Sequence, residues 1–130
     1  QKELNFTAFG TTGTNVATIE LSTLPPMNFT KRLGYLIRYP HGCVEQTTSS
    51  AFPQLYLPEI FELSKEKKQD VERNIKATIT RLSNFQVSNG GLSYWQGNGY
   101  VNNWGTSYAG HFMIEAAKKG YALPIGFKNK

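Results

Sequence analysis

Residues 65–85 carry a helical periodicity that constrains the fold more than any other feature of this sequence. Five apolar residues recur there at intervals of four, four, three and three: Val71, Ile75, Ile79, Leu82 and Phe85. That spacing places them on one face of an α-helix, and Ser64 stands before the segment as an N-cap residue. The sequence therefore predicts a long amphipathic helix over about residues 65–84, within an all-α fold.

Shorter helical segments are predicted on both sides of this helix. They cover residues 29–38 after the N-cap Asn28, one or two turns within 43–50, a helix that opens at Pro53, and residues 106–119 before the C′ residue Gly120. The helix after Pro53 is expected to bury Leu55, Tyr56, Ile60, Phe61 and Leu63. The last helix is apolar around much of its circumference, so we expect it to be buried on several sides.

The first 24 residues follow a different pattern. Apolar and polar side chains alternate from Leu4 to Leu21 around a turn at residues 10–13, as is typical of a β-hairpin or of two strands. Because an isolated hairpin is only marginally stable in water, we expect residues 1–24 to be a β segment of a neighbouring domain. Residues 25–130 then form the helical domain. The chain begins at Gln1 rather than at Met, so we interpret it as part of a longer protein.

Composition and charge narrow the classes of function. The net charge of +5 comes from lysines that alternate with acidic residues or close a helix, which is typical of a solvated surface rather than of a nucleic-acid or membrane interface. No apolar run approaches the roughly 20 residues that span a bilayer. One cysteine and two distant histidines do not make a metal-ligand set. The sequence therefore predicts neither a metal nor a cofactor.

Cys43, the only cysteine, stands three residues before Gln46. Side chains at positions i and i+3 share one face of a helical turn. The Cys43 thiol can then attack the side-chain amide of Gln46, ammonia leaves, and an internal thioester closes a ring of about 15 atoms. A lone cysteine is more often a buried apolar residue, but the neighbouring Glu45 and Gln46 favour the reactive interpretation.

The segment Gly42–Gln46, of sequence Gly-Cys-Val-Glu-Gln, resembles the Gly-Cys-x-Glu-Gln thioester motif of the α2-macroglobulin and complement superfamily. Further matches lie at the spacing of that family: Pro53, Tyr56, Asn103, Trp104, Thr106, Ser107 and Tyr108. The resemblance is greatest to the bacterial α2-macroglobulin branch, in which a larger residue such as Val44 can replace the glycine between Cys and Glu. It covers most of residues 25–121.

The resemblance implies a fold as well as a chemistry. Thioester domains are α/α toroids, rings of alternating outer and inner helices, so residues 25–130 are expected to be the N-terminal part of such a toroid. Residues 86–95 resemble a repeat of the terpenoid cyclases, which share the toroid. We interpret these residues as a structural corner, with glycine at the turn.

The function implied by the resemblance is that of a protease inhibitor rather than an enzyme. Cleavage of the full-length protein by a target protease exposes the thioester, whose Gln46 carbonyl acylates the attacker and frees the Cys43 thiolate. Gly42 and Glu45 support the motif through backbone geometry and a polar contact. Candidates for shielding the bond from water are Tyr39, Phe52, Tyr94, Trp95 and Trp104. The resemblance also implies a bacterial protein that is secreted, periplasmic or associated with the cell envelope.

Two alternatives from other functional classes stay open. A Cys-His hydrolase would use Cys43 with His41 or His111, although a core position for His111 is the simpler interpretation. A non-covalent helical module would bind protein or glycan through the aromatic residues of the loop at 86–105. Because a truncated toroid exposes apolar helix faces, self-association of the chain is also expected.

Overall fold

The computed structural model describes residues 5, 7, 10–16, 23 and 29–127, without the side chains of residues 29–32. These residues form five α-helices and one 3-10 turn. In chain order the elements are α1 (Phe29–Leu36), α2 (Val44–Ala51), the 3-10 turn (Pro53–Leu55), α3 (Leu57–Ile60), α4 (Lys65–Ser83) and α5 (Asn103–Lys118). No strand occurs among the described residues, and two isolated antiparallel bridges order the loop after α4: Gln86 with Leu92 and Ser93 with Val101. The predicted mostly helical fold is confirmed.

Helix α4 follows the predicted periodicity closely. Its N-cap is Ser64, whose hydroxyl accepts a hydrogen bond from the backbone N–H of Lys67 at 3.4 Å. Its buried face combines apolar residues of the predicted pattern with two polar ones: Val71, Asn74, Ile75, Thr78, Ile79 and Leu82. Helices α2 and α5 both pack against α4. The long amphipathic helix thus packs against both of its neighbours through the face that the sequence pattern predicts.

Helix α2 lies against both α4 and α5 although its sequence looks polar. Four of its eight residues are buried: Val44, Thr47, Thr48 and Ala51. The Thr48 hydroxyl donates to the Val44 carbonyl at 2.7 Å, so burial leaves it satisfied. A segment with few apolar residues thus lies at the centre of the packing.

The predicted continuous helix after Pro53 is wrong. The chain forms the 3-10 turn, breaks at Tyr56 and then forms α3. Pro58 explains the break, because it has no N–H to donate to the Gln54 carbonyl and its ring would collide with that carbonyl in a continuous helix. Ile60, which the pattern predicts to be buried, is 66% exposed. The buried leucines of this segment are Leu55, Leu57 and Leu63.

A buried polar network joins α4 to the loop after α1. The Gln54 amide nitrogen donates to the carbonyl oxygens of Arg38 and Ser50, each at 2.8 Å. The Gln54 amide oxygen accepts from the Asn74 side chain at 3.0 Å. Because buried polar groups are strongly destabilising without partners, this network fixes the loop before α2 relative to α4.

Helix α5 begins three residues before its predicted start because Asn102 is its N-cap. The Asn102 side-chain oxygen accepts from the backbone N–H of Gly105 at 2.6 Å. One face of the helix is buried: Gly105, Ala109, Phe112, Met113 and Ala116. Ile114 is 52% exposed, so burial on several sides is wrong for the described part of the chain. Gly120 follows the helix with φ 88°, as predicted for a C′ residue.

The predicted β-hairpin lies mostly outside the described residues. Residues 10–13 do form a bend and turn, after which the Thr14 backbone N–H and hydroxyl donate to the Thr11 carbonyl at 3.2 and 2.7 Å. The boundary between residues 24 and 25 stays a prediction. None of the described helices is long and apolar enough to cross a membrane.

Candidate functional site

Cys43 is the N-cap residue of α2, and Gln46 is the third residue of that helix. The Gln46 side chain folds back over the helix end, where its amide oxygen accepts a hydrogen bond from the Cys43 backbone N–H at 3.2 Å. This is the reciprocal contact of a capping box. The fold therefore holds the Gln46 amide beside Cys43.

Gly42 leaves the space that this arrangement needs. Its backbone has φ 91°, a conformation that glycine adopts without steric strain. A Cβ atom at this position would overlap the Gln46 amide oxygen and would lie 3.0 Å from the amide carbon. Any other residue at position 42 would therefore displace the Gln46 amide.

The Gly42 carbonyl is anchored from α4. Arg81 Nη2 donates to it at 3.0 Å and Thr47 Oγ1 donates at 3.4 Å. Arg81 Nε also donates to Thr47 Oγ1 at 3.3 Å. Arg81 is absent from the predicted site residues because no local pattern links it to a glycine 39 residues away.

The two side chains of the predicted reactive pair differ in exposure. Cys43 is only 2% exposed, whereas Gln46 is exposed and lines a groove of about 420 Å³. The other lining residues come from α1, the loop after it, α2 and the start of the 3-10 turn: Tyr35, Leu36, Arg38, Tyr39, His41, Ser49, Ser50 and Pro53. The cysteine is therefore enclosed by protein, while the glutamine amide is reached from the groove.

Tyr94 approaches the site from the loop between α4 and α5. Its carbonyl accepts from the Val44 backbone N–H at 3.1 Å, and its hydroxyl donates to Glu45 Oε2 at 3.4 Å. A hydrogen-bonding interaction with Cys43, with the charge of Cys43 and desolvation adding to it, raises the pKa of Tyr94 to about 12. Tyr94 therefore contacts the motif through the Val44 backbone and through the Glu45 side chain.

Two more of the predicted shielding residues lie near this site. Tyr39 lines the groove with Gln46 and is 60% exposed. Trp95 packs edge-on against Tyr94, with ring centroids 5.8 Å apart. The structure thus gathers Tyr39, Tyr94 and Trp95 around the motif.

Phe52 and Trp104 belong instead to an aromatic cluster on α5. Both pack against Tyr108, with ring centroids 5.8 and 5.1 Å apart. Tyr56 extends the cluster by stacking on Phe52 at 6.4 Å. Phe52 therefore packs against α5 from the end of α2, whereas the contact of Trp104 lies within α5.

Glu115 of α5 has three polar partners. It accepts hydrogen bonds from the Tyr56 hydroxyl at 3.0 Å and from Lys118 Nζ at 2.8 Å, and His111 Nε2 lies 3.9 Å away. The hydrogen bond from Lys118, and then the one from Tyr56, lower the pKa of Glu115 below its ordinary value of 4.5. The carboxylate is thus held in its charged form in the folded chain.

Neither histidine is positioned as a base for Cys43. His41 Nδ1 lies 2.9 Å from the Tyr39 carbonyl oxygen and therefore donates to it. The His111 ring packs edge-on against Phe52, and its side chain is 63% exposed. Among residues 29–127, no hydrogen bond joins either ring to Cys43. The interpretation of His111 as a core residue is wrong.

Val44, inside the motif, is fully buried against α5. A Cβ atom at Gly105 would lie 2.6 Å from Val44 Cγ1, which is much shorter than an ordinary van der Waals contact of 3.4–4 Å. Gly105 therefore allows α5 to approach the motif closely. It is absent from the predicted residues because a glycine within a helix gives no local sign of its partner.

The site offers a buried thiol and a carboxamide that folds back over the helix end at Cys43. These groups suit an intramolecular acyl transfer from the amide to the thiol. Among the described residues, no group of three or more His, Cys, Asp or Glu side chains could hold a metal ion.

A family model described as the A-macroglobulin TED domain matches residues 16–124. Among curated relatives, the alpha-2-macroglobulin of Escherichia coli (strain K12) is 35% identical over 114 residues, which cover 85% of this chain and 7% of the relative. The alpha-2-macroglobulin of Xylella fastidiosa (strain Temecula1) is 33% identical over 111 residues, which cover 82% of this chain and 7% of the relative. The chain thus spans only 7% of the length of these relatives.

Solved structures show the same similarity. The crystal structure of native alpha-2-macroglobulin from Escherichia coli, from domain MG7 to the C-terminus, has a TM-score of 0.60 and 32% identity, covering 81% of this chain and 17% of that one. The structure of Escherichia coli alpha-2-macroglobulin activated by porcine elastase has a TM-score of 0.56 and 33% identity, and the match covers 70% of this chain and 8% of that one.

Proposed function

This chain belongs to the A-macroglobulin TED domain family and is homologous to bacterial alpha-2-macroglobulins, and we propose that Cys43 and Gln46 form the internal thioester of its full-length protein. One observation carries the proposal: the Gln46 side chain folds back over the end of α2, where its amide oxygen accepts a hydrogen bond from the Cys43 backbone N–H. The space left by Gly42 supports it, because the amide carbon lies in the volume that a side chain at position 42 would fill.

Formation of the bond needs no external reagent. The Cys43 sulfur attacks the Gln46 amide carbon, the carbon–nitrogen bond breaks and ammonia leaves. Because the two residues are the N-cap and third residue of one helix, the reaction is intramolecular and benefits from their fixed proximity. Arg81 supports the ring by holding the Gly42 carbonyl, which precedes Cys43 in the chain.

The full-length protein would use this bond as a covalent trap for proteases. An amine or hydroxyl of the protease attacks the Gln46 carbonyl from the groove, and the Cys43 thiolate leaves. Activation of the Escherichia coli relative by porcine elastase supports this role. Each molecule reacts once, so the protein is an inhibitor rather than an enzyme. We further propose that the complete domain is an α/α toroid and that the protein acts in the periplasm, at the cell envelope or outside the cell.

Shielding of the bond falls to the aromatic residues around the motif. We assign this role to Tyr94 and Trp95, in the loop between α4 and α5, and to Tyr39 on the groove side. The hydrolase alternative has less support, because His41 and His111 engage other groups. The two functions differ in outcome, since a hydrolase turns over whereas a thioester is consumed.

Intact mass of the full-length protein tests the proposal. The native protein is expected to be lighter by one ammonia than its sequence, to add one methylamine on treatment, and to release one thiol at Cys43. Gln46→Glu should abolish both the mass deficit and the labelling. Gln69→Glu, on the exposed side of α4, is the matched control and should retain both. A native protein with the full sequence mass and a free Cys43 thiol would refute the thioester.

A further inference from the structure

The side-chain oxygen of Gln46 is the atom on which negative charge develops in the proposed reaction. When a nucleophile adds to the acyl carbon, one electron pair of the C=O bond moves to this oxygen, which is the same atom in the amide, the thioester and the product. The Cys43 backbone N–H donates to it at 3.2 Å. This distance is long for an N–H···O hydrogen bond, so the bond can shorten as the charge develops. The contact has the arrangement of an oxyanion donor.

The direction of this N–H depends on the peptide unit that joins Gly42 to Cys43. A trans peptide unit is planar, and its C=O and N–H point in opposite directions. Arg81 Nη2 and Thr47 Oγ1 hold the Gly42 carbonyl oxygen from one side, at 3.0 and 3.4 Å. Glycine restricts its own backbone less than any other residue, so these two donors fix the orientation. By holding the carbonyl oxygen they aim the N–H at Gln46.

Arg81 brings a positive charge to this peptide unit. Its side chain is half-buried, and among the described side chains no carboxylate pairs with it. Two further contacts fix its direction: Nε donates to Thr47 Oγ1 at 3.3 Å, and the guanidinium lies 5.8 Å from the Phe85 ring centroid. A hydrogen bond from a charged donor is stronger than a neutral one. It also polarises the amide, which makes the N–H at the other side a better donor.

We infer that Arg81 is a positioning residue of acyl transfer, which orients and polarises the Gly42–Cys43 peptide so that the Cys43 N–H stabilises the oxyanion at Gln46. The inference rests on the proposed thioester. In the step, the lone pair of the attacking amine bonds to the acyl carbon of Gln46, and one C=O electron pair moves to the oxygen. This pair then restores the C=O bond, the carbon–sulfur pair leaves with Cys43, and the surplus proton of the amine passes to solvent. The Cys43 N–H keeps its proton throughout.

The test compares Arg81→Met with the wild type in the full-length protein. Intact mass first establishes the ammonia loss in both, and thiol release is then followed after addition of methylamine and, separately, in buffer alone. Both rates should fall about tenfold, which is less than the roughly hundredfold cost of losing a whole oxyanion donor, because the N–H itself remains. The two factors should agree, since the oxyanion is common to both reactions.

Two further variants separate this role from a general effect on the fold. Arg81→Lys keeps a cationic donor and should recover part of the lost rate. Arg73→Met makes the same change in the same helix, at an exposed residue that pairs with Asp70, and should react at the wild-type rate. If Arg81→Met lacks the ammonia loss, Arg81→Lys takes its place in the comparison and should react more slowly than the wild type.

The direction of the change decides the outcome. A residue that only holds the fold around the bond would, when replaced, admit water and speed the reaction. An unchanged or faster rate in Arg81→Met would therefore overturn the inference. So would a rate in Arg81→Lys that is no higher than in Arg81→Met, because the charged hydrogen bond would then contribute nothing.

A second measurement does not depend on the thioester. Cys43 is the only cysteine, so isotope labelling of the glycine carbonyl carbons and the cysteine nitrogen gives one correlated NMR signal, from the Gly42–Cys43 peptide. In this chain, Arg81→Met should move the Cys43 amide proton upfield, as Gln46→Ala should, because both weaken its hydrogen bond. Arg73→Met should leave it in place.

An amide proton of Cys43 that does not move in Arg81→Met would overturn the inference. Should the wild-type mass of the full-length protein show no loss of ammonia, the proposed function fails. The NMR signal of the Gly42–Cys43 peptide then still decides whether Arg81 controls the Cys43 N–H.

Discussion

Replacing Gly105 by alanine adds one methyl group where α5 meets the thioester motif. The new Cβ would lie 2.6 Å from Val44 Cγ1 and 3.0 Å from the Asn102 side-chain oxygen that caps the helix. Val44 is fully buried, and a β-branched side chain has few alternative rotamers with which to move aside. The added methyl group must therefore push α5 and α2 apart or distort the cap.

The expected loss of stability follows from two opposing effects. Overpacking of a well-packed contact costs about 1–3 kcal/mol. Alanine gains up to about 1 kcal/mol over glycine within a helix. The net result for Gly105→Ala is a decrease of about 1–2 kcal/mol in the free energy of unfolding. Gly110→Ala, in the same helix with no atom within 4 Å of the new Cβ, should instead gain about 1 kcal/mol.

Urea unfolding followed by circular dichroism measures both changes. A double-mutant cycle with Val44→Ala identifies the cause, because removal of the Val44 methyl groups makes room for the new Cβ. The destabilisation by Gly105→Ala should then shrink by about 1 kcal/mol or more in the Val44→Ala background. The steric reasoning is refuted if Gly105→Ala stabilises the chain as Gly110→Ala does, or if its effect is the same in both backgrounds.

Three other substitutions test the site and the fold. Gly42→Ala should destabilise the chain by about 1–2 kcal/mol, because position 42 has a positive φ. The new Cβ would also overlap the Gln46 amide oxygen, so the intact mass of the full-length variant should show no loss of ammonia. Asn102→Ala removes the N-cap of α5 and should cost about 1 kcal/mol in urea unfolding. The pKa of Glu115 is lowered in the folded chain, so the carboxylate stabilises the fold above its unfolded pKa, and this contribution is lost as the pH falls through the folded pKa. In Glu115→Gln, the free energy of unfolding should therefore decrease less on acidification than in the wild type. An equal decrease in both proteins would contradict the assignment.

The sequence predicts the elements whose information is local. The period of α4, the Ser64 cap and the turn that joins Cys43 to Gln46 depend on residues within a few positions of each other, and the structure contains all three. The error after Pro53 is also local, because Pro58 interrupts the backbone hydrogen bonds of a helix that the apolar pattern alone would continue.

Other features of the site depend on contacts between distant segments. Arg81 reaches Gly42 across 39 residues, and Tyr94 reaches Glu45 across 49. Neither contact leaves a periodic trace in the sequence. The burial of α2 is similar, because its threonines are buried by the close approach of α4 and α5 and not by their own hydropathy. A resemblance to a known motif can suggest the proposed reactive pair, but the groups around that pair follow only from the fold.

The unequal exposure of Cys43 and Gln46 has a consequence for the proposed thioester. In the proposed reaction, the acyl acceptor would become attached to an exposed glutamine, while the sulfur released in the same step would lie at a position that is 2% exposed. Cys43 is the only cysteine of this chain, so these residues would offer the attached molecule no accessible sulfur for a disulfide. The attachment would then depend on the new bond at Gln46 alone.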